Sequence, residues 1–286
     1  MAIAFALLSS LCFGIAHVTA RVGLRTLDAR SGAALSVPTA TLLFAAAAPF
    51  ALDLSQFNAT AAILFAVVGV FFPAVVTLLN FRSNELLGPT LTSTVSGTTP
   101  LFALVAAALL LGEQIPARAA LAAAGVVLGI ALLSRDPGAA DHRFAGRLLL
   151  WPLAGAVVRA LAQVGARAAL LLWPNPFAAS LIGYAVSSAA VISADRLAGA
   201  GRRRLTAHGV TWFGVTGALN GGAVLLMYLA LTAAPVALVA PIVAAYPVVT
   251  ALVSAIALRE ETVTARALLG SAITVAAIAY LVASRT

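Results

Sequence analysis

The strongest constraint on this chain is a succession of apolar stretches, each about twenty residues long and nearly free of charge. Reading between charges, Gly/Pro breaks and polar clusters gives ten of them: 2–24, 32–52, 60–82, 88–111, 117–134, 147–168, 176–195, 209–231, 235–258 and 265–283. A helix crossing the hydrocarbon core of a bilayer needs roughly 20 such residues. In lipid every backbone N–H and C=O must be satisfied by the protein itself, which leaves helices or closed barrels. Barrel strands alternate apolar and polar residues, whereas Ala119 to Leu133 is apolar on every face. The expected fold is an all-α polytopic membrane protein with ten transmembrane helices. Composition agrees. The chain is 62% hydrophobic and 9% charged, against about 25% charged in soluble domains. A soluble enzyme, a DNA-binding domain and a disordered chain are poor readings. The first run has no basic start and no cleavage site after a short core, so it reads as a span and not as a removed signal peptide.

All 17 basic residues are Arg, and the net charge is +8. In a soluble protein such a balance points to nucleic acid; here the arginines stand mostly between spans, where they set topology. Connectors after odd-numbered spans hold Arg25, Arg30, Arg82, Arg135, Arg143, Arg147, Arg196, Arg202, Arg203, Arg204, Arg259 and Arg266. The opposite side holds Arg118, Arg167 and Arg285. The positive-inside rule then places both termini outside the cytoplasm, in a multi-pass protein of the inner membrane. Without lysine no phosphate-binding loop ending in Lys-Ser/Thr exists, so this chain alone does not burn ATP. The lone Cys12 excludes an intramolecular disulfide. No paired-His metal spacing and no Gly-x-Ser-x-Gly turn occurs. The expectation is no cofactor, no metal and no catalytic residue. The expected partners are a small-molecule substrate and membrane lipid, with no nucleic acid.

Two long-range matches predict duplication. Pro100 to Glu113 has the same Pro-to-Glu spacing as Pro247 to Glu260, an offset of 147. Ala20, Val22, Gly23 and Arg25 recur as Ala162, Val164, Gly165 and Arg167, an offset of 142, with a five-residue length change between the two regions. The halves are 1–137 and 144–286. Each has five spans, and an odd number makes the second copy enter from the opposite face. Inverted repeats of this kind are common in secondary transporters, with a site near the midplane between the halves. Both halves in one chain predict a monomer.

On these residues the chain resembles the drug/metabolite transporter superfamily, and within it the EamA-type ten-helix members. The resemblance rests on the paired five-span halves, Pro100 with Gly112-Glu113, Pro247 with Glu260, and Phe13-Gly14 in the aromatic-Gly start of the first helix. Trp151 is a loose counterpart in the second half. It implies export or exchange of small metabolites, often amino acids, as in the YddG-like amino acid exporters.

An ionisable side chain at mid-membrane costs several kcal/mol, about 2.5–3.5 for Arg, so such residues are the first place to look for function. Arg159 stands in the middle of the sixth span, with Gln163 and Arg167 on the same helical face. His17, Arg21 and Arg25 form a similar stripe on the first. The repeat offset sets His17 against Arg159, Arg21 against Gln163 and Arg25 against Arg167. Arg159 is suited to hold a carboxylate through parallel hydrogen bonds, and a histidine such as His17 is suited to donate, accept or titrate near neutral pH. The plainer alternative has Arg21, Arg25 and Arg167 snorkelling to headgroups, and His17 simply packed. Thr92, Ser96 and Thr99 share one face of the fourth span, either lining a cavity or packing helices. Pro100, Pro241 and Pro247 interrupt matched spans and suit hinges. Asn80, Tyr184, Asn220 and Tyr246 complete the cavity candidates. Gly125 and Gly129 predict a close helix contact. Glu113, Glu260 and Glu261 sit at span ends.

No Asp or Glu falls near the middle of a span, which disfavours carboxylate-driven proton antiport of lipophilic cations. The functional expectation is a secondary transporter of apolar or aromatic amino acids, working by alternating access. The rivals are a multidrug exporter of another substrate class and an intramembrane enzyme acting on lipid-linked substrates. For the enzyme the chain offers only Arg82, Asn84 and Glu85 as a compact polar cluster.

Overall fold

The computed structural model describes residues 1–133, 147–197, 205–258 and 265–283. Arg135, Arg143, Arg202, Arg203, Arg204, Arg259, Arg285, Glu260, Glu261 and the proposed half-boundaries at 137 and 144 lie outside the described residues, as does the side chain of Arg266.

Among the described residues there are helices and no strands. The helices are α1 Ala2–Leu24, α2 Ala29–Ala51, α3 Ala59–Gly69, α4 Val76–Ser96, α5 Thr99–Leu111, α6 Ala117–Leu133, α7 Leu150–Leu172, α8 Pro176–Leu197, α9 Ala207–Ala233, α10 Val236–Val243, α11 Tyr246–Ala257 and α12 Ala265–Ala283. A π-helical turn, Val70–Val75, joins α3 to α4. Seven helical stretches are long and apolar enough to cross a membrane: α1, α2, α3 through α4, α7, α8, α9 and α10 through α11. Shorter apolar helices cover Thr99–Leu111, Ala117–Leu132 and Ala272–Ala283. Each of the ten sequence runs therefore has helix beneath it. Large side chains such as Leu42, Leu109, Leu128 and Ile256 are exposed, as expected where lipid replaces water as the solvent of the outer face.

Helix starts follow local chemistry. The Asp28 carboxylate accepts the Ser31 N–H, Asn58 Oδ1 accepts the Ala61 N–H, and Thr206 Oγ1 accepts the Gly209 N–H. Each satisfies a first-turn amide that the helix cannot.

The interior breaks are the informative part of the fold. α4 is interrupted at Gly88, whose φ of 80° and ψ of 170° lie in a region essentially restricted to glycine; Pro89 follows. α9 ends at Ala233, and α10 restarts after extended Ala234 and Pro235. Pro100 and Pro247 do not kink continuous helices. Each occupies the first turn of a new one, α5 or α11, where a missing N–H costs nothing. Pro241 lies inside α10. The third span breaks where Phe72 leaves helical geometry. There Ser187 of α8 donates to the Gly69 carbonyl and accepts the Ala74 N–H, replacing bonds the ladder has lost.

Small residues set how closely the helices approach. A Cβ on Gly14 would stand 2.5 Å from Val249 Cβ, one on Gly69 2.7 Å from the Gly183 oxygen, and one on Gly125 2.8 Å from Ala277 Cβ. Gly129 abuts Thr274 and Gly270 in the same way, so the expected close contact of this helix is present, against α12. α1 lies along α9, tied by Ser9 Oγ to the Ala223 carbonyl (2.7 Å) and Thr19 to Thr216 (2.8 Å). α2 meets α8 at Thr41, whose hydroxyl bonds Ser188 Oγ at 2.7 Å.

Two arginines bind the broken helices. Arg21 Nη1 on α1 donates to the carbonyls of Asn84 (3.2 Å) and Glu85 (3.5 Å), just before the Gly88 break. Arg167 Nη1 on α7 donates to those of Leu231 and Thr232, just before the Ala234 break. Both guanidinium groups are turned to backbone carbonyls, and the Arg167 side chain is 16% exposed. The carbonyls in the two contacts are 147 residues apart and the arginines 146. Sequence identities pair Arg25 with Arg167, whereas these carbonyl contacts pair Arg21 with it, four residues earlier. At the bonding register Arg159 stands opposite Phe13, and Gln163 opposite His17.

Candidate functional site

Halfway along α1 and α7 the packing opens into a cleft. It encloses about 400 Å³ of space unfilled by atoms, including its open side. α1 contributes Phe13, Ala16 and His17. The α3–α4 turn and α4 contribute Phe72, Pro73, Val76, Thr77, Asn80 and Phe81. Arg159 comes from α7, Tyr184 from α8, and Asn220 and Val224 from α9. Five of the ten cavity residues expected from sequence (His17, Asn80, Arg159, Tyr184 and Asn220) therefore line one space.

Arg159 dominates it. The residue is 4% exposed and lies roughly 14 Å from one end of α7 and 20 Å from the other at the helical rise per residue. Its Nε and Nη1 have no hydrogen-bond partner among the described residues. A buried charge without a partner costs several kcal/mol. Three rings offset part of that cost. The guanidinium carbon stands 4.8 Å from the centroid of Phe13, 5.6 Å from Tyr246 and 5.7 Å from Phe72. Desolvated cation–π contacts are worth about 2 kcal/mol. They solvate the face of the cation and leave its in-plane N–H donors free.

Gly14 makes this cage possible. Its missing Cβ lets α11 close onto α1, with Thr250 Oγ1 donating to the Gly14 and Tyr246 carbonyls. The Tyr246 ring then stacks on His17 at 5.2 Å with 9° between planes and reaches Phe13 at 6.1 Å. Tyr246 covers the site from behind and is not part of the cleft lining.

The hydroxyl face of α4 and α5 sits one layer back. Ser96 Oγ donates to Asn80 Oδ1 at 3.3 Å. Thr92 bonds Ser83 at 2.9 Å, and Thr99 donates to the Ser96 carbonyl at 2.6 Å. Gln163 Nε2 contacts Met227 Sδ at 3.4 Å, and its Oε1 is an unpartnered buried acceptor. None of these four lines the cleft. The Tyr184 hydroxyl is buried and unpartnered beside it. The sequence reading did not name Phe13, Ala16, Phe72, Pro73, Val76, Thr77, Phe81 or Val224 as cavity residues. Phe72-Pro73 inside an apolar run was an available signal; Thr77 and Val224 carried none.

Glu113 ties α5 to the other end of the fold. Its carboxylate accepts the Val236 N–H at 3.2 Å and the Ala237 N–H at 3.3 Å, at the start of α10, and lies 3.9 Å from Arg167 Nε. An anion at a helix N-terminus is stabilising. The Arg82, Asn84 and Glu85 cluster is held by structural bonds: Arg82 pairs with Glu85 at 2.6 Å, and Asn84 Nδ2 donates to the His17 carbonyl at 2.9 Å. No group of three or more His, Cys, Asp or Glu side chains suited to a metal ion occurs among the described residues.

Residues 1–135 match the model of the EamA-like transporter family, part of the drug/metabolite transporter superfamily. With the seven long apolar helices among the described residues, this match marks a multi-pass membrane protein. Across the whole chain, a protein of known crystal structure is similar at a TM-score of 0.78 with 17% identity, over 99% of this chain and 98% of that one. At that identity the likeness shows the fold alone. No curated protein matches.

Proposed function

We propose that the protein is a secondary transporter of the inner membrane that exports or exchanges small metabolites by alternating access. Its solutes carry a carboxylate on an apolar or aromatic body, the class to which apolar and aromatic amino acids belong. The observation that carries this is Arg159: a guanidinium at mid-helix, with two nitrogens unsatisfied, at a cleft walled by rings. A carboxylate held bidentately on one edge of the guanidinium would satisfy one of them. The apolar walls fit the rest of the solute.

In this reading the chain crosses the membrane ten times, as two inverted five-helix halves, 1–137 and 144–286, working as a monomer. Support comes from contacts that recur at nearly constant spacing: Arg21 and Arg167 on their carbonyls, and Thr41 bonded to Ser188, 147 residues away. The cleft draws on α1 and α4 from one half and α7 to α9 from the other. The breaks before Pro100 and Pro247, with Pro241 between, are the proposed flexing points. Both termini face outward in this topology.

The test is purified protein in liposomes. Labelled carboxylate solute should accumulate chemically unchanged, and Arg159→Ala should abolish that uptake while the protein still folds. Uptake undiminished in the variant removes Arg159 from the site. Orientation has its own check in a chain carrying Cys12→Ser. Leu205→Cys should react with an impermeant thiol reagent only from the cytoplasm, and Ser55→Cys only from outside. The reverse pattern inverts the topology.

A further inference from the structure

The cleft is a one-sided electrostatic site, and that bears on which carboxylates fit it. Its buried charge is the single guanidinium of Arg159. Each acidic side chain whose bonds are placed is committed elsewhere: Asp28 caps α2, Asp53 accepts the Ser55 N–H, Glu85 holds Arg82, and Glu113 caps α10. No Asp or Glu lines the cleft among the described residues.

The neutral groups supply no negative charge to offset that guanidinium. Ring faces are the usual apolar hosts for an ammonium, but Phe13, Phe72 and Tyr246 are already turned to the guanidinium. Asn80 Oδ1 receives Ser96, which leaves the Asn80 amide N–H donors. The Tyr184 hydroxyl has a free proton to give. The Thr77 hydroxyl and the Asn220 amide also line the cleft and can accept as well as donate, but none of these groups carries negative charge.

Resting on the transport reading above, we infer that the cleft selects organic monoanions, a carboxylate on an aromatic or branched apolar body, over zwitterionic amino acids of the same shape. A monoanion cancels the site's charge. A zwitterion leaves the net charge at +1 and brings an ammonium close to the guanidinium in a medium that screens poorly. The ammonium must also give up water without gaining a carboxylate.

The experiment is equilibrium binding to the purified full chain by titration calorimetry near pH 7, using 3-phenylpropanoate, L-phenylalanine and phenethylamine. A second pair, 4-methylpentanoate and L-leucine, separates charge from fit. Each acid should bind at least about tenfold more tightly than its amino acid, phenethylamine should not bind, and Arg159→Gln should weaken the acids at least about tenfold. Amino acids binding as tightly as their deaminated partners overturn the inference, while their loss in Arg159→Gln would keep the carboxylate reading intact. Indifference of every ligand to Arg159→Gln, or no binding by any of them, sinks both. The comparison of ligands on the unmutated chain stands even if the variant does not fold.

Discussion

Arg21 on α1 and Arg167 on α7 make the same contact, each giving one guanidinium to two carbonyls stranded beside a helix break. Two turns earlier on the same helices the likeness ends. α1 presents Phe13 and His17, whereas α7 presents Arg159 and Gln163. A device that keeps a broken helix satisfied is needed at both places, because exposed carbonyls in an apolar medium are costly. A charge is needed at only one: a second cation opposite the first would repel it, and a ring there solvates it instead. Similarity thus follows the demands of folding, and divergence follows the placement of one buried charge.

The sharpest way to break the comparison is at its point of divergence. Arg159→Ala should lower uptake of carboxylate solutes by about two orders of magnitude or more, the scale of a lost charged bidentate contact. Its thermal unfolding temperature should not fall, because no buried partner is stranded by the loss. A variant that unfolds would make Arg159 a structural lock. Next come the shared contacts. Arg21→Ala and Arg167→Ala should each destabilise the protein by about 2–4 kcal/mol, two carbonyls losing a charged donor. Arg167→Ala should cost more, since Glu113 also loses its neighbour. Equal losses would mean that the carboxylate contributes nothing there. Gly88→Ala should cost about 1–3 kcal/mol through backbone strain alone, while Ala234→Gly, at an extended position, should cost under about 1 kcal/mol. The smallest effect belongs to Glu113→Gln, about 0.3–1 kcal/mol, because the amide oxygen still accepts an N–H of α10 while the charge at the helix terminus is lost. Thermal unfolding in detergent measures all of these.

The spans were legible because a bilayer tolerates few alternatives: length and freedom from charge decide them. Arg159 was legible for the same reason, a costly residue in a place that requires an explanation. The cage around it was not. Phe72 and Tyr246 are apolar-compatible residues in an apolar chain, and nothing in their spacing distinguishes a ring that faces a cation from one that faces lipid. Letters and contacts give two different registers for the first and sixth spans. Ala20, Val22, Gly23 and Arg25 match Ala162, Val164, Gly165 and Arg167 letter for letter, but the carbonyl-binding arginine is Arg21. The two registers differ by four residues, close to one helical turn, so they agree on the face of each side chain and differ in its depth. Hydroxyls at Thr92, Ser96 and Thr99 were ambiguous for another reason: the same small polar residues serve a cavity wall and a helix seam, and here they back the wall without forming it.

The unsatisfied guanidinium also governs how the proposed carrier would cycle. Loaded, the centre is neutral; vacant, it must carry a bare cation through whatever occluded intermediate separates its two orientations. The vacant return is then the slow leg. Under that regime, solute waiting in the opposite compartment accelerates efflux by giving the carrier a neutral way back, so one-for-one swapping outpaces net discharge.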